Sequence, residues 1–228
     1  MVNGWRRSCP GLPLFILIQV LLQDFDQKMS GLTITTIQTR LHWENKTANL
    51  QMLEEKISSI KEKTEVVVLP EMFSTGFSMR PEQLAETMDG ETVQWMKRIA
   101  AEKKIILTGS IIIKEEAHYY NRLIWMLPNG QHGVYDKRHR FAFAGEDNYY
   151  TAGTKRLIAS VKGWKINLQV CYDLRFPVWA RQCPLPTSPA RGGEKLCNQG
   201  RIRCTDICSQ LAREEKPCLE NIIAGKGN

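Results

Sequence analysis

Apolar residues recur along the chain in two rhythms. Within residues 44–61, Leu50, Leu53, Ile57 and Ile60 fall at i, i+3, i+7 and i+10, and Val93, Met96 and Ala100 repeat that spacing within residues 91–103. Such spacing lines one face of a helix. Short β-rich runs lie around these segments, at residues 32–39 and 66–69. The second of them has no polar alternation, as expected of a strand buried on both faces. Strand-helix-strand-helix order predicts parallel pairing in a layered sheet. From residue 105 strands follow in quick succession, at 105–113, 120–127, 131–136, 157–161 and 164–170, with a turn at Pro128-Asn129-Gly130 between two of them. The pattern by itself predicts an α/β fold with a mixed sheet.

Three of these runs end in chemically able groups. Val66-Val67-Val68-Leu69 stops at Pro70 with Glu71 next, and Gly133-Val134-Tyr135-Asp136 delivers Lys137. The run from Trp164 to Val170 reaches Cys171 and turns polar, and Pro177 suits the first turn of a following helix. Cys171 is thus expected at a strand-to-helix elbow, where nearby backbone N–H groups lower a thiol pKa and supply oxyanion donors. Singly, Glu71 and Lys137 read as solvated strand-end charges and Cys171 as a buried structural cysteine. Together, a carboxylate, an ammonium and a thiol at strand ends point to a site, because the carboxyl ends of strands are where open α/β sheets build them.

Leu69-Pro70-Glu71, Tyr135-Asp136-Lys137 and Val170-Cys171-Tyr172-Asp173-Leu174-Arg175-Phe176-Pro177 resemble, in order, the three catalytic motifs of the nitrilase superfamily of carbon-nitrogen hydrolases. The longer stretches Pro70-Glu71-Met72-Phe73-Ser74-Thr75-Gly76-Phe77 and Lys137-Arg138-His139-Arg140-Phe141 are similar to its bacterial omega-amidase branch. The resemblance spans residues 32–182 and is lost after Gln182. It implies an α-β-β-α sandwich, incomplete here at the C-terminus, and a homodimer in the intact family. It also implies roles: Cys171 as nucleophile through a thioester, Glu71 as proton carrier, Lys137 and the Tyr172 N–H as oxyanion donors, and Glu146 as a second glutamate orienting Lys137 and the substrate. The substrate class implied is a small 2-oxo dicarboxylic monoamide, 2-oxoglutaramate or 2-oxosuccinamate; the alternatives are another carbon-nitrogen hydrolase, since other branches cleave nitriles or N-carbamoyl groups with the same three residues, and a truncated, inactive product. That chemistry needs no metal or organic cofactor.

Several assignments around the site stay open. Asp173 and Arg175 are expected to pair and brace the elbow, with Arg175 gripping a substrate carboxylate as the alternative. Phe73, Phe77, Phe141 and Tyr172 are expected in the core, with a pocket lining as the alternative. Residues 138–154 read as a long polar and aromatic loop.

Charge and cysteines refine the picture at the ends. The formal charge of +7 is spread over residues 1–28, 29–182 and 183–228 as excesses of +1, +4 and +2, so no focused basic patch argues for nucleic acid. Residues 1–28 read as an extension. Arg6-Arg7 and the apolar stretch 12–22 imitate a signal peptide, but Pro13 and Gln19 interrupt it and no small-x-small cleavage site follows, so Met29 is the expected physiological start. The apolar stretch is too short to span a membrane. Residues 29–182 form the hydrolase domain. Five of the seven cysteines fall within 183–228 without zinc-like spacing, a segment that reads as low-order or out-of-frame and competes with a cysteine-rich binding module. The odd total, with Cys171 alone in the body, fits a reducing, cytoplasmic setting.

Overall fold

The computed structural model describes residues 31–180 together with the backbone of a strand at Ile16–Leu21. In chain order the elements are β1 (Ile16–Leu21), β2 (Ile34–Thr36), α1 (Lys46–Ser58), β3 (Val66–Val68), α2 (Pro81–Leu84), α3 (Glu91–Lys103), β4 (Ile106–Glu115), β5 (His118–Met126), β6 (His132–Asp136), α4 (Glu146–Tyr149), β7 (Leu157–Val161), β8 (Trp164–Val170) and α5 (Pro177–Ala180).

β2 to β6 form one sheet in sequence order. The pairs β2–β3 and β3–β4 are parallel, because helices or long loops carry the chain back between those strands, and the directly connected pairs β4–β5 and β5–β6 are antiparallel. The second sheet is ordered β1-β8-β7, with antiparallel pairing throughout. The stretch that imitates a signal peptide therefore supplies β8's other neighbour, in register from Ile16 opposite Val170 to Leu21 opposite Lys165.

Strand alternation decides what each face meets. Val67, Leu107, Ile124 and Met126 face a helical layer that contributes Leu50, Leu53 and Ile57 of α1 and Val93, Met96 and Ile99 of α3. Val66, Val68, Leu123, Trp125 and Tyr135 face the other way, onto Ala159, Ile166, Leu168 and Val170 of the second sheet. This is the α-β-β part of the expected sandwich. β3 is buried on both faces, as its unbroken valine run predicts. Helix α1 is capped by Asn45, whose side chain accepts from the Ala48 N–H. α3 ends at Lys104 in the left-handed region.

The long loop after Lys137 is more ordered than its polarity suggests. It folds a short 3₁₀ turn at Ala142–Ala144 and the four-residue α4. Residues 183–228, expected to stand apart from the fold, lie outside the described residues. Among the described residues no helix is long and apolar enough to cross a membrane.

Candidate active site

The ends of β3, β6 and β8 converge, each by a different local device. After β3 the chain is held to β4: the Leu69 N–H donates to the Thr108 carbonyl, and the Met72 and Phe73 N–H groups donate to the Ser110 hydroxyl and carbonyl. Met72 takes a φ of +46° and Gly76 one of +79°, so the loop doubles back at once and leaves Glu71 pointing inward. Beside it, a Cβ on Gly109 would sit 2.6 Å from the Phe73 ring, a contact only glycine avoids.

Lys137 is fixed from both sides of its own backbone. Its N–H donates to the Asn121 carbonyl of β5, and its carbonyl accepts from the Gly153 N–H, each at 3.0 Å. Gly153 can come that close only because it lacks a side chain, since a Cβ there would lie 1.9 Å from the Asp136 carbonyl oxygen.

Cys171 follows β8 with a φ of +42° and opens the 3₁₀ turn Cys171–Arg175, and Pro177 begins α5 as expected. A non-glycine residue in the left-handed region is strained by about 1–3 kcal/mol and persists only where its surroundings impose it. Here they do. Asp173, fully buried, accepts from the Val170 N–H at 3.1 Å, the Tyr135 hydroxyl at 2.6 Å and the His139 N–H at 2.8 Å, and His139 Nδ1 lies 2.8 Å from its Oδ1. Trp179 donates to the same tyrosine oxygen. The expected Asp173–Arg175 brace is thus corrected: Tyr135 and His139, flanking Lys137 on its own segment, hold Asp173 and so tie the Lys137 strand to the Cys171 elbow. Arg175 is exposed and lines a cavity of about 310 Å³ with Arg138, Arg156 and Trp179.

At the centre, Lys137 Nζ donates to Glu71 Oε1 and to Glu146 Oε2, both at 2.8 Å, and all three side chains are buried. Glu146 is placed by α4 and by the Phe141 N–H, which donates to its Oε2 at 2.5 Å. Asn121, equally buried, donates from one Nδ2 to Glu71 Oε1 at 2.6 Å and to Glu146 Oε1 at 3.1 Å. Reading the sequence by strand ends missed this residue. The available signal was an asparagine in the middle of a strand, between Tyr120 and Arg122, where asparagine is depleted. Glu71 Oε2 is buried with no hydrogen-bond partner among the described residues.

Two acidic side chains and one ammonium share this buried space and shift one another. Burial alone would lower Lys137, but the charges of Glu71 and Glu146 outweigh it and keep the ammonium charged. Burial raises Glu71 against the opposing pull of Lys137. Cys171, partly exposed, has its thiol pushed well above the ordinary value of 9.0, first by desolvation and then by the Glu71 charge, with Lys137 pulling the other way. The expectation of a depressed thiol pKa is therefore corrected. Lys137 acts in the expected sense but is outweighed by burial and the Glu71 charge.

The aromatic residues divide. Phe73 is core, its ring 5.9 Å from Trp95. The Phe77 ring lies 5.2 Å from Lys137 Nζ, and Phe141 and Tyr172 pack 5.0 Å apart beside the elbow, so these three border the site.

The family model for carbon-nitrogen hydrolases matches residues 33–188. This chain belongs to that family. Among curated carbon-nitrogen hydrolase relatives it is 40% identical over 155 residues to an omega-amidase YafV of Yersinia enterocolitica, covering 67% of this chain and 59% of that one. It is 30% identical over 154 residues to the 2-oxoglutaramate amidase of Bacillus subtilis, covering 66% and 59%. Among solved structures, XC1258 from Xanthomonas campestris, a superfamily protein with an arsenic adduct in its active site, is 41% identical with a TM-score of 0.65, covering 67% of this chain and 58% of that one. The chain spans about three fifths of the length of the curated relatives it matches.

Proposed function

We propose that the chain is a cysteine-dependent amidase of the omega-amidase type, hydrolysing the terminal amide of 2-oxoglutaramate or 2-oxosuccinamate to the 2-oxo acid and ammonia, in the cytoplasm and as a homodimer. The observation that carries the reading is the Glu71 carboxylate, with one oxygen held by Lys137 and Asn121 and the other buried and unpartnered, beside a thiol at a strained elbow. Its similarity to omega-amidases supports the acyl class.

In this scheme Glu71 Oε2 takes the thiol proton as Sγ attacks the amide carbon. The oxyanion forms against Lys137 Nζ and the Tyr172 N–H. Collapse breaks the carbon–nitrogen bond, and the proton held by Glu71 passes to the departing nitrogen, which leaves as ammonia. Water then gives a proton to Glu71 and attacks the thioester. The second intermediate expels the sulfur, which regains its proton from Glu71. Glu146 keeps Lys137 charged and in place. Phe77, Phe141 and Tyr172 wall the acyl group.

Ammonia release from 2-oxoglutaramate tests the proposal. The parent chain is expected to release it and Cys171→Ala to lose release entirely with the fold intact. Turnover by Cys171→Ala within tenfold of the parent would remove Cys171 from the nucleophile role.

A further inference from the structure

Lys137 and Asn121 bridge the same two carboxylates. Nζ joins Glu71 Oε1 to Glu146 Oε2, and Nδ2 joins Glu71 Oε1 to Glu146 Oε1, so the four side chains close a ring in a site without solvent. Within it both oxygens of Glu146 are engaged, whereas Glu71 receives two donors on Oε1 and none on Oε2. A carboxylate held by Lys137 alone could rotate and exchange its oxygens. The second donor, on a different strand, removes that freedom. Being neutral, it also does so without adding a charge that would keep Glu71 from accepting a proton.

We infer that Asn121 is a positioning residue: its amide locks Glu71 Oε1 together with Lys137 and so makes Oε2 the atom that exchanges a proton with Cys171. The inference rests on the reading of Glu71 as the proton carrier. Burial raises the Glu71 pKa, and the Asn121 hydrogen bond is among the contacts that hold it down. Loss of the donor therefore raises it further. Removing one hydrogen bond to a charged group moves a titration midpoint by about one to two on the pH scale.

The test is a carboxyl carbon NMR titration of the full chain with labelled glutamate, the Glu71 resonance being assigned by its loss in Glu71→Gln. Asn121→Ala and Asn121→Leu leave different volumes but both remove the donor, so a change common to both belongs to the N–H rather than to the cavity. The Glu71 midpoint is expected to rise by about one to two on the pH scale in each, and the acid limb of amide hydrolysis to rise with it. An unmoved midpoint in both variants overturns the assignment, as does failure of both to fold, which would make Asn121 a residue of the core alone. A raised midpoint without ammonia release from the parent would sink the amidase reading and leave the role of Asn121 standing.

Discussion

Glu71 and Cys171 are set against each other by burial. A buried carboxylate beside a desolvated thiol raises the thiol, and an ammonium beside both lowers it, so two substitutions should move Cys171 in opposite directions. Glu71→Gln removes the charge and should shift the pH midpoint of Cys171 alkylation down. Lys137→Ala should shift it up. Parallel shifts would mean that neither group acts on the thiol through its charge. Both substitutions should also cost at least about a hundredfold in turnover, through lost proton transfer and lost oxyanion stabilisation respectively. In the proposed scheme Glu71 must be ionised to accept the proton, so activity should fall as pH drops through its raised pKa, with the acid limb above the ordinary carboxylate value of 4.5. The three central residues were legible in the sequence because each closes an apolar run. Asn121 was not, since it lies within a strand and its meaning depends on which residues the neighbouring strands bring beside it.

Among elements, the elbow after β8 and the end of β6 form one unit, joined by Asp173, Tyr135 and His139. Asp173→Asn should lower activity and cost about 2–3 kcal/mol of stability, since it weakens charge-assisted hydrogen bonds in a dry site. Gly153→Ala should perturb the same unit from behind, because its methyl group would collide with the Asp136 carbonyl. Gly31→Ala is the control, as nothing among the described residues lies within 4 Å of the position its Cβ would take. Equal denaturation midpoints for the two would show that Gly153 does not hold Lys137 in place. The helix at Glu91–Lys103 and the strands Leu157–Val161 and Trp164–Val170 match their predicted limits because periodicity and turn residues agree there. α4 was hidden in a polar loop, a single turn being too short to show a period. The Ile16–Leu21 strand reads as signal-like for a related reason: a short apolar run looks alike whether it is a leader or a strand.

For the molecule as a whole, stability rests on two interfaces that share β3 to β5. Leu123 is fully buried between the sheets, so Leu123→Ala should cost about 2–5 kcal/mol in urea denaturation. Val134, exposed at 40% on the neighbouring strand, should tolerate alanine within about 0.5 kcal/mol. The helical layer was readable from sequence, because amphipathic stripes state which face is buried. That the two sheets face each other was not, since alternation marks an inner face without naming what meets it; the resemblance supplied that, and the shared cluster of Leu123, Trp125, Ile166 and Leu168 bears it out. In the proposed reading, this packing brings three strand ends and β5 to one point where a thiol and a carboxylate share a proton. The most direct measurement of that claim is mass spectrometry of the acid-quenched reaction with 2-oxoglutaramate. The account predicts an adduct on the Cys171 peptide with the mass of the substrate less ammonia. An adduct on a different cysteine, or ammonia release with Cys171 unmodified throughout the reaction, would contradict it.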